Sequence, residues 1–465
     1  MKPTFPFETD PETLKRCEIY AMLTSHGEHI SFHTPGHKAG SWDITELDFS
    51  DNLSCPQGVL ARAEHDAARI LGAEGSFFLT DGSTSGVLSM LYAAKGLGVR
   101  SLAFPKNAHK CVYNGCKILD IRPVLLDAPL SGTVRLQPTA EETEKKLKQA
   151  DALLLTSPDY YGNIADLAFA RALCDREGKL LLVDGAHGGH LHYAPELYAG
   201  TYADLWVDGV HKSLPALTQG AVVSARSSDL FARLMAAVDI FRTSSPSYPI
   251  LASVEYAIKY PRNRQLENEV LAFINEYPDK FHFGGDWTKL CARLGGRAFK
   301  AQEKLERKGI YAEFCDGDIL MFYLSPATRE NDFRLLKKEL AALFALPPLP
   351  ARPREDIFGD PDANDRDEGD GFSADAEKET GDRPKRTRPV FEIPELVYVP
   401  LSRATGRIAA RPCGIFPPGT PLVLRGERAT AEAIRLLEKS PNVFGLGKGK
   451  TFPAIPEKGF DEDGL

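Results

Sequence analysis

Short, wholly apolar runs alternating with amphipathic stretches predict an α/β protein, with a major domain on a mostly parallel sheet and a smaller α+β domain toward the C-terminus. Two observations carry this. Runs such as Leu180-Leu181-Leu182-Val183 and Leu205-Trp206-Val207 have no polar face, as expected of strands covered on both sides. Elsewhere apolar residues return at helical spacing, as at Val59, Leu60, Ala63, Ala67, Ile70 and Leu71. The length, 465 residues, exceeds what one small core serves and suggests roughly two or three domains.

The elements follow in order. Segment 1–30 carries an amphipathic helix over 11–23, opened by Asp10 as N-cap and Pro11 at the first helical position. The major domain spans 31–286. It begins with Phe32-His33-Thr34-Pro35-Gly36-His37-Lys38, a Pro-Gly turn whose basic groups suit an anion or substrate as well as a plain polar loop. Strands are expected at 76–79, 101–104, 122–126 and 152–156, with helices from Ser83 to about Ala94, at 140–148 and at 165–176. Beyond Ala225 the pattern is helical, interrupted by the hydroxyl-rich loop 242–249. A small α/β unit spans 287–346, with a helix at 301–308 and a strand at 319–324. Segment 347–389 differs in kind, since residues 355–370 hold eight acids among sixteen positions. Such a composition buries too little apolar surface to offset ordering and predicts a disordered insertion. A last domain, 390–465, contains the stiff turn Ile415-Phe416-Pro417-Pro418-Gly419-Thr420-Pro421.

A net charge of −8 argues against general binding to nucleic acid or anionic membrane, which wants a basic face. The eight cysteines are scattered without a C-x-x-C pair, as expected of free thiols in a reducing cytoplasm and not of a disulfide frame or metal site. No apolar run approaches membrane-spanning length, and the N-terminal residues lack a signal-type apolar stretch.

The chemistry concentrates between Leu180 and Gln219. One apolar run ends at Asp184 and the next leads to His211-Lys212. Crevices at the C-terminal ends of parallel strands are where α/β proteins bind ligands. An acid and a lysine at neighbouring strand ends are the two groups that pyridoxal phosphate (PLP) requires. The lysine amine bonds to the cofactor aldehyde, and the acid keeps the pyridine nitrogen protonated. Singly, each residue has a plainer explanation, as a helix cap or a surface pair. The turn Thr80-Asp81-Gly82-Ser83-Thr84-Ser85-Gly86, between a strand and a helix, is richer in hydroxyls than a cap requires and suits a phosphate. His109, in Asn107-Ala108-His109-Lys110, and the loop 157–163 also lie just past strand ends.

In chain order the phrases FHTPGHK, SFFLTDGSTSG, NAHK, SPDYYG, VDGAHGGH, HKSLPALTQ, SSPSY and FPPGTPL resemble the bacterial ornithine/lysine/arginine decarboxylase family, PLP enzymes of the aspartate-aminotransferase fold (fold type I). Together they span Phe32 to Leu422. The resemblance implies that Lys212 is the cofactor-bonding lysine, Asp184 the pyridine-nitrogen partner and His109 the ring-stacking group, with His211 beside them in catalysis. It implies that Ser83, Thr84 and Ser85 hold the phosphate, that Ala186, His187 and His211 line the cofactor, and that Ser245 and Ser247 reach the active site near a dimer interface. The implied activity is decarboxylation of a small amino acid (arginine, lysine or ornithine) to an amine and CO2, within polyamine biosynthesis, by a cytoplasmic homodimer.

Five positions depart from the family's pattern. Gly209-Val210 replace the Ser-Thr usual before His-Lys, removing two hydroxyls, one of them normally a phosphate donor. Asp159 puts a carboxylate in the loop 157–163, Cys111 stands where serine is common, and Arg411 follows Gly-Arg-Ile-Ala-Ala where an acid is usual. An aminotransferase or other PLP lyase therefore stays open, with Arg403, Arg407 or Arg411 on a substrate carboxylate, and so does a non-catalytic paralogue.

Overall fold

The computed structural model describes residues 4–26, 29–346, 397–415, 421–424, 426–440 and 443–456. The acidic segment 347–389 and the centre of the turn at 416–420 lie outside the described residues. The chain divides at Pro350/Ala351 into two compact units.

Nine strands open the first unit: β1 (Gly75–Leu79), β2 (Ser101–Pro105), β3 (Arg122–Leu126), the short hairpin β4 (Leu130–Ser131) and β5 (Val134–Arg135), β6 (Ala152–Thr156), β7 (Leu180–Gly185), β8 (Leu205–Asp208) and β9 (Ala221–Ala225). Seven form one sheet in the order β1-β9-β8-β7-β6-β2-β3. From β3 to β8 neighbours run parallel, and β9 is antiparallel to both β8 and β1. Alternate side chains of each strand enter two different cores. Leu181 and Val183 of β7 join Leu153, Leu155 and Trp206 on one face. Leu182 joins Leu154, Leu205 and Val207 on the other. Helices Val59–Leu71, Leu167–Glu177 and Tyr248–Lys259 cover the first face; Ser83–Gly96, Lys110–Ile118 and Ser228–Phe241 cover the second. Both faces being dry explains why the strands read as unbroken apolar runs.

The expected helix at 11–23 is two helices, Pro11–Leu14 and Glu18–Ser25. The break has a physical cause: buried Glu255 accepts the backbone N–H groups of Glu18 and Ile19, both at 2.8 Å, and so begins a fresh N-terminus there. Similarly, Asp166 accepts the Phe169 N–H at 2.9 Å and starts its helix at Leu167, two residues beyond the expected position.

A second, antiparallel sheet follows in the order β10 (Phe281–His282), β11 (Lys289–Arg293), β13 (Ile319–Tyr323) and β12 (Phe314–Cys315). Its core includes Leu290, Leu320 and Phe322 together with residues of helices Arg264–Glu276, Ala298–Glu306 and Glu330–Phe344. The apolar core of this smaller layer therefore begins ahead of Trp287. In the second unit, β14 (Val397–Pro400) pairs with β18 (Thr451–Ala454), and β15 (Cys413–Ile415) pairs with β16 (Pro421–Val423) and β17 (Val443–Phe444). Helix Ala431–Lys439 buries Ala433, Ile434, Leu436 and Leu437. No helix among the described residues is long and apolar enough to cross a membrane.

Helix Ser83–Gly96 approaches the sheet most closely at Gly86, where a Cβ would lie 2.6 Å from a Val207 methyl and 3.0 Å from a Leu79 methyl. Gly86→Val is expected to cost about 1–3 kcal/mol in calorimetric unfolding through overpacking. Gly96→Ala, on the same helix but with open space at its Cβ, should be neutral or slightly stabilising.

Candidate active site

The sheet delivers three adjacent parallel strand ends to one place. Thr156 of β6 pairs with Asp184 of β7, which in turn pairs with Val207 of β8. Asp184 is buried and accepts the Ala186 N–H at 3.1 Å. Burial pushes its carboxyl up, and the Lys212 ammonium and the Ala186 N–H oppose that rise. Lys212 sits in the single helical turn Val210–Ser213 that follows β8. Burial pulls its amine down and Asp184 counters. The two charges thus stabilise one another in a low-dielectric site, each limiting the shift that burial imposes on the other.

Three histidines surround this pair, all held neutral. His109 is the N-cap of helix Lys110–Ile118, its Nδ1 accepting the Cys111 N–H at 3.2 Å. Burial, then the charges of Lys212 and Lys110, pull it down to about 4. His187 lies 3.2 Å from the Lys212 amine through Nε2, and burial, ahead of Lys212 and Lys289, pulls its pKa well down. His211 turns its Nδ1 to the Gly220 carbonyl at 2.8 Å, so its ring is committed to the loop before β9.

At the start of helix Ser83–Gly96, the N-cap is Gly82, which offers no side chain to the first turn. Ser85 donates within its own turn, to Asp81 Oδ1 at 2.9 Å and the Gly82 carbonyl at 2.8 Å. The other oxygen of Asp81 accepts the Thr243 N–H at 3.1 Å, and Thr243 Oγ1 accepts the Ser245 N–H at 3.2 Å. The loop bearing Ser245 and Ser247 is therefore tied to the Ser83–Ser85 turn of its own chain.

The departures have local explanations. A Cβ on Gly209 would stand 2.5 Å from the Ala186 carbonyl oxygen, so a serine there needs a backbone shift. Val210 is buried in the apolar core. Asp159 is buried and closes its own loop: Oδ1 accepts the N–H groups of Tyr161 and Asn163 at 2.9 and 3.0 Å, and Oδ2 accepts Asn163 Nδ2 at 2.8 Å. In the second unit Arg411 donates to the carbonyls of Gly445 and Leu446 and to the Tyr398 hydroxyl, at 2.7, 3.3 and 3.0 Å.

Residues from the smaller sheet join the site, and no sequence motif marked them. Tyr160 donates to Glu313 Oε1 at 3.0 Å, and the Glu313 carboxylate is near enough to act on the charge of Lys212. Tyr323 of β13 meets His187 Nδ1 at 3.2 Å. Behind them Lys289 and Asp286, both fully buried, pair at 3.1 Å, with Lys289 also donating to Thr288 Oγ1 at 2.8 Å and His190 Nε2 meeting Asp286 Oδ1 at 3.0 Å.

An α/β fold thus brings a half-buried lysine and a buried acid to adjacent strand ends, with three histidines beside them. Residues 41–289 match the Orn/Lys/Arg decarboxylase major domain, and residues 377–443 match the C-terminal domain of the same proteins. The chain belongs to the Orn/Lys/Arg decarboxylase family. It is 27% identical to the uncharacterised Bacillus subtilis protein YaaO over 472 residues, covering 90% of this chain and 93% of that one. It is 26% identical to the arginine decarboxylase of the same organism, covering 91% and 93%. The fold also matches the structure of the Escherichia coli constitutive lysine decarboxylase with a TM-score of 0.65 at 17% identity, covering 96% of this chain and 81% of that one.

The Asp286–Lys289 pair generates a stability prediction. Burial alone would raise the Asp286 carboxyl, but Lys289 and His190 outweigh it and hold it well below the usual carboxylate range. Lys289→Met strands that carboxylate and is expected to cost about 3–5 kcal/mol in denaturant unfolding at pH 7. Because the folded pKa is depressed, the pair's contribution is present above the ordinary value of 3.8 and lost in acid, so the gap to wild type should narrow as pH falls.

Proposed function

We propose that the chain is a PLP-dependent decarboxylase of a basic amino acid (arginine, lysine or ornithine), releasing CO2 and the amine. The observation that carries this is the placement of buried Asp184 and half-buried Lys212 at adjacent strand ends, each acting on the other's charge. The donor set fits the cofactor. A buried amine of lowered pKa is a ready nucleophile for an aldehyde, and a buried carboxylate matches a pyridinium nitrogen. The first turn at Ser83 and Thr84 offers free N–H groups at the positive end of a 14-residue helix to a phosphate. Bound and joined to the substrate amine, PLP withdraws electrons from Cα so that the bond to the carboxylate can break.

This chain's residues do the rest. Asp184 would hold a proton on the ring nitrogen, and His109, neutral across physiological pH, would face the ring without adding charge. Ser85 acts by holding the turn, since its hydroxyl is already committed to Asp81 and Gly82. The amine of Lys212 would bond to the cofactor and, when not so bonded, would serve as a proton donor. Ala186 and His187 line the pocket beside it, with His211 positioning the Lys212 turn through Gly220. Glu313 gives the pocket a carboxylate that a guanidinium or ammonium head group would meet. Arg411 donates to Gly445, Leu446 and Tyr398 within the second unit. A homodimer with its site near the interface, a cytoplasmic location and a role in polyamine formation complete the reading.

The test is CO2 release by purified protein supplied with PLP, across basic, acidic and neutral amino acids. Release from a basic substrate is expected; an oxo-acid product instead would indicate an aminotransferase, and absence of turnover a non-catalytic paralogue. Lys212→Ala should lower turnover by about a thousandfold or more with the fold intact. Glu313→Gln should raise KM for the basic substrate by roughly ten- to a hundredfold while changing kcat little, and an unchanged KM would remove Glu313 from recognition.

A further inference from the structure

His187 touches Lys212 on one side and Tyr323 on the other, and the hydrogen-bond chemistry along that line allows one arrangement. The Tyr323 hydroxyl lies 2.9 Å from the Tyr160 backbone carbonyl and 3.2 Å from His187 Nδ1. A carbonyl cannot donate, so the single phenolic proton belongs to the Tyr160 contact; placed toward His187, it would leave two bare oxygens facing each other at 2.9 Å. The phenolic oxygen must then accept from His187, which puts the imidazole proton on Nδ1. On the opposite side the Lys212 ammonium, which has only protons to offer, lies 3.2 Å from His187 Nε2, so that nitrogen must be bare. The Tyr323 contact thus selects the tautomer, and the ammonium form of Lys212 is satisfied by the same one.

Lys289 holds the arrangement from behind. Its ammonium lies 4.5 Å from the centre of the Tyr323 ring and 3.5 Å from the His187 backbone carbonyl. The rings of Tyr160 and Tyr323 meet His187 nearly edge-on, with centroids at 5.6 and 5.7 Å, which fixes the imidazole plane. A second proton on His187 would face the cations Lys212 and Lys289, with His109 and His211 also near and Glu313 the nearby anion across Tyr160.

We propose that Tyr323, braced by Lys289, is a positioning residue that fixes His187 as the Nδ1–H tautomer, so that Nε2 is a permanent acceptor aiming the Lys212 amine. The inference rests on Lys212 being the reactive amine of the proposed function, and it assigns the smaller antiparallel sheet a part in that chemistry. Tyr323→Phe removes the oxygen while keeping the ring over Lys289, so the fold should survive.

Nitrogen-15 spectra of the cofactor-free protein, with His187→Gln to identify the resonances, read the tautomer directly. Wild type should show a single Nδ1–H form, and Tyr323→Phe should show a mixture or the Nε2–H form. Reductive methylation by formaldehyde, followed at Lys212 by mass spectrometry, should slow by roughly three- to tenfold in Tyr323→Phe, the worth of one neutral hydrogen bond. An Nε2–H form in wild type, or an unchanged spectrum and labelling rate in the variant, overturns the proposal. The two readings fail separately. If Lys212→Ala leaves PLP binding and its absorbance unaltered, the proposed function falls while the spectra still decide the tautomer. If Lys212→Ala abolishes both and Tyr323→Phe changes nothing, only the role of Tyr323 falls.

Discussion

A lysine amine held out of water opposite a carboxylate is the constraint on which the rest of this molecule turns. Asp184 is buried and Lys212 half-buried, and each charge opposes the shift that burial imposes on the other. Burial, ahead of the charge of Lys212, holds His109 and His187 neutral, so neither adds a cation beside it. The next cation inward, Lys289, arrives with its own anion, Asp286, at 3.1 Å. The polar interior is thus built of compensated pairs separated by neutral, hydrogen-bonded rings, which lets one amine have a lowered pKa without unfolding what surrounds it.

The sheet makes that arrangement possible without loops having to find one another. Parallel neighbours β6, β7 and β8 end side by side, so consecutive crossovers deliver the loop after Thr156, Asp184 itself and the Lys212 turn to one edge. Strand β9 then returns antiparallel and carries Gly220, whose carbonyl receives His211 and closes the Lys212 turn. The antiparallel layer β10–β13 supplies a wall to the same pocket, with Tyr323 and Lys289 projecting toward His187. Its Tyr323 hydroxyl meets the imidazole that Lys212 and Tyr160 contact from the major domain.

Much of this was legible in the sequence, for reasons that differ by region. The strands of the major sheet were readable because burial on both faces leaves no room for polar residues, and the run 180–183 is apolar throughout. Helix Val59–Leu71 was readable because one face alone is buried. The break at Cys17 was not, since its cause is Glu255, 237 residues away from Glu18 in the chain. The same limit hid half of the site's surroundings. Lys212 and Asp184 stand at the ends of recognisable strands, whereas Lys289 and Tyr323 lie in the smaller antiparallel sheet and Glu313 just ahead of β12. Nothing local distinguishes those three; only the tertiary approach of the two sheets gives them work.

The departures from the family's pattern acquire a single physical sense when taken with their neighbours. At Gly209 the backbone of the Lys212 turn passes so close to Ala186 that a Cβ would strike the Ala186 carbonyl oxygen at 2.5 Å. Ala186 is the residue whose N–H holds Asp184 and whose successor is His187. Removing a side chain at 209 therefore brings together the two loops that carry the lysine, its acid and its acceptor, at the cost of a hydroxyl. The adjoining Val210 goes into the apolar core and anchors the turn from below. On the other side of the site, Asp81 ties the loop bearing Ser245 to the turn at Ser83 through Thr243, so that segment too is fixed by backbone contacts within this chain.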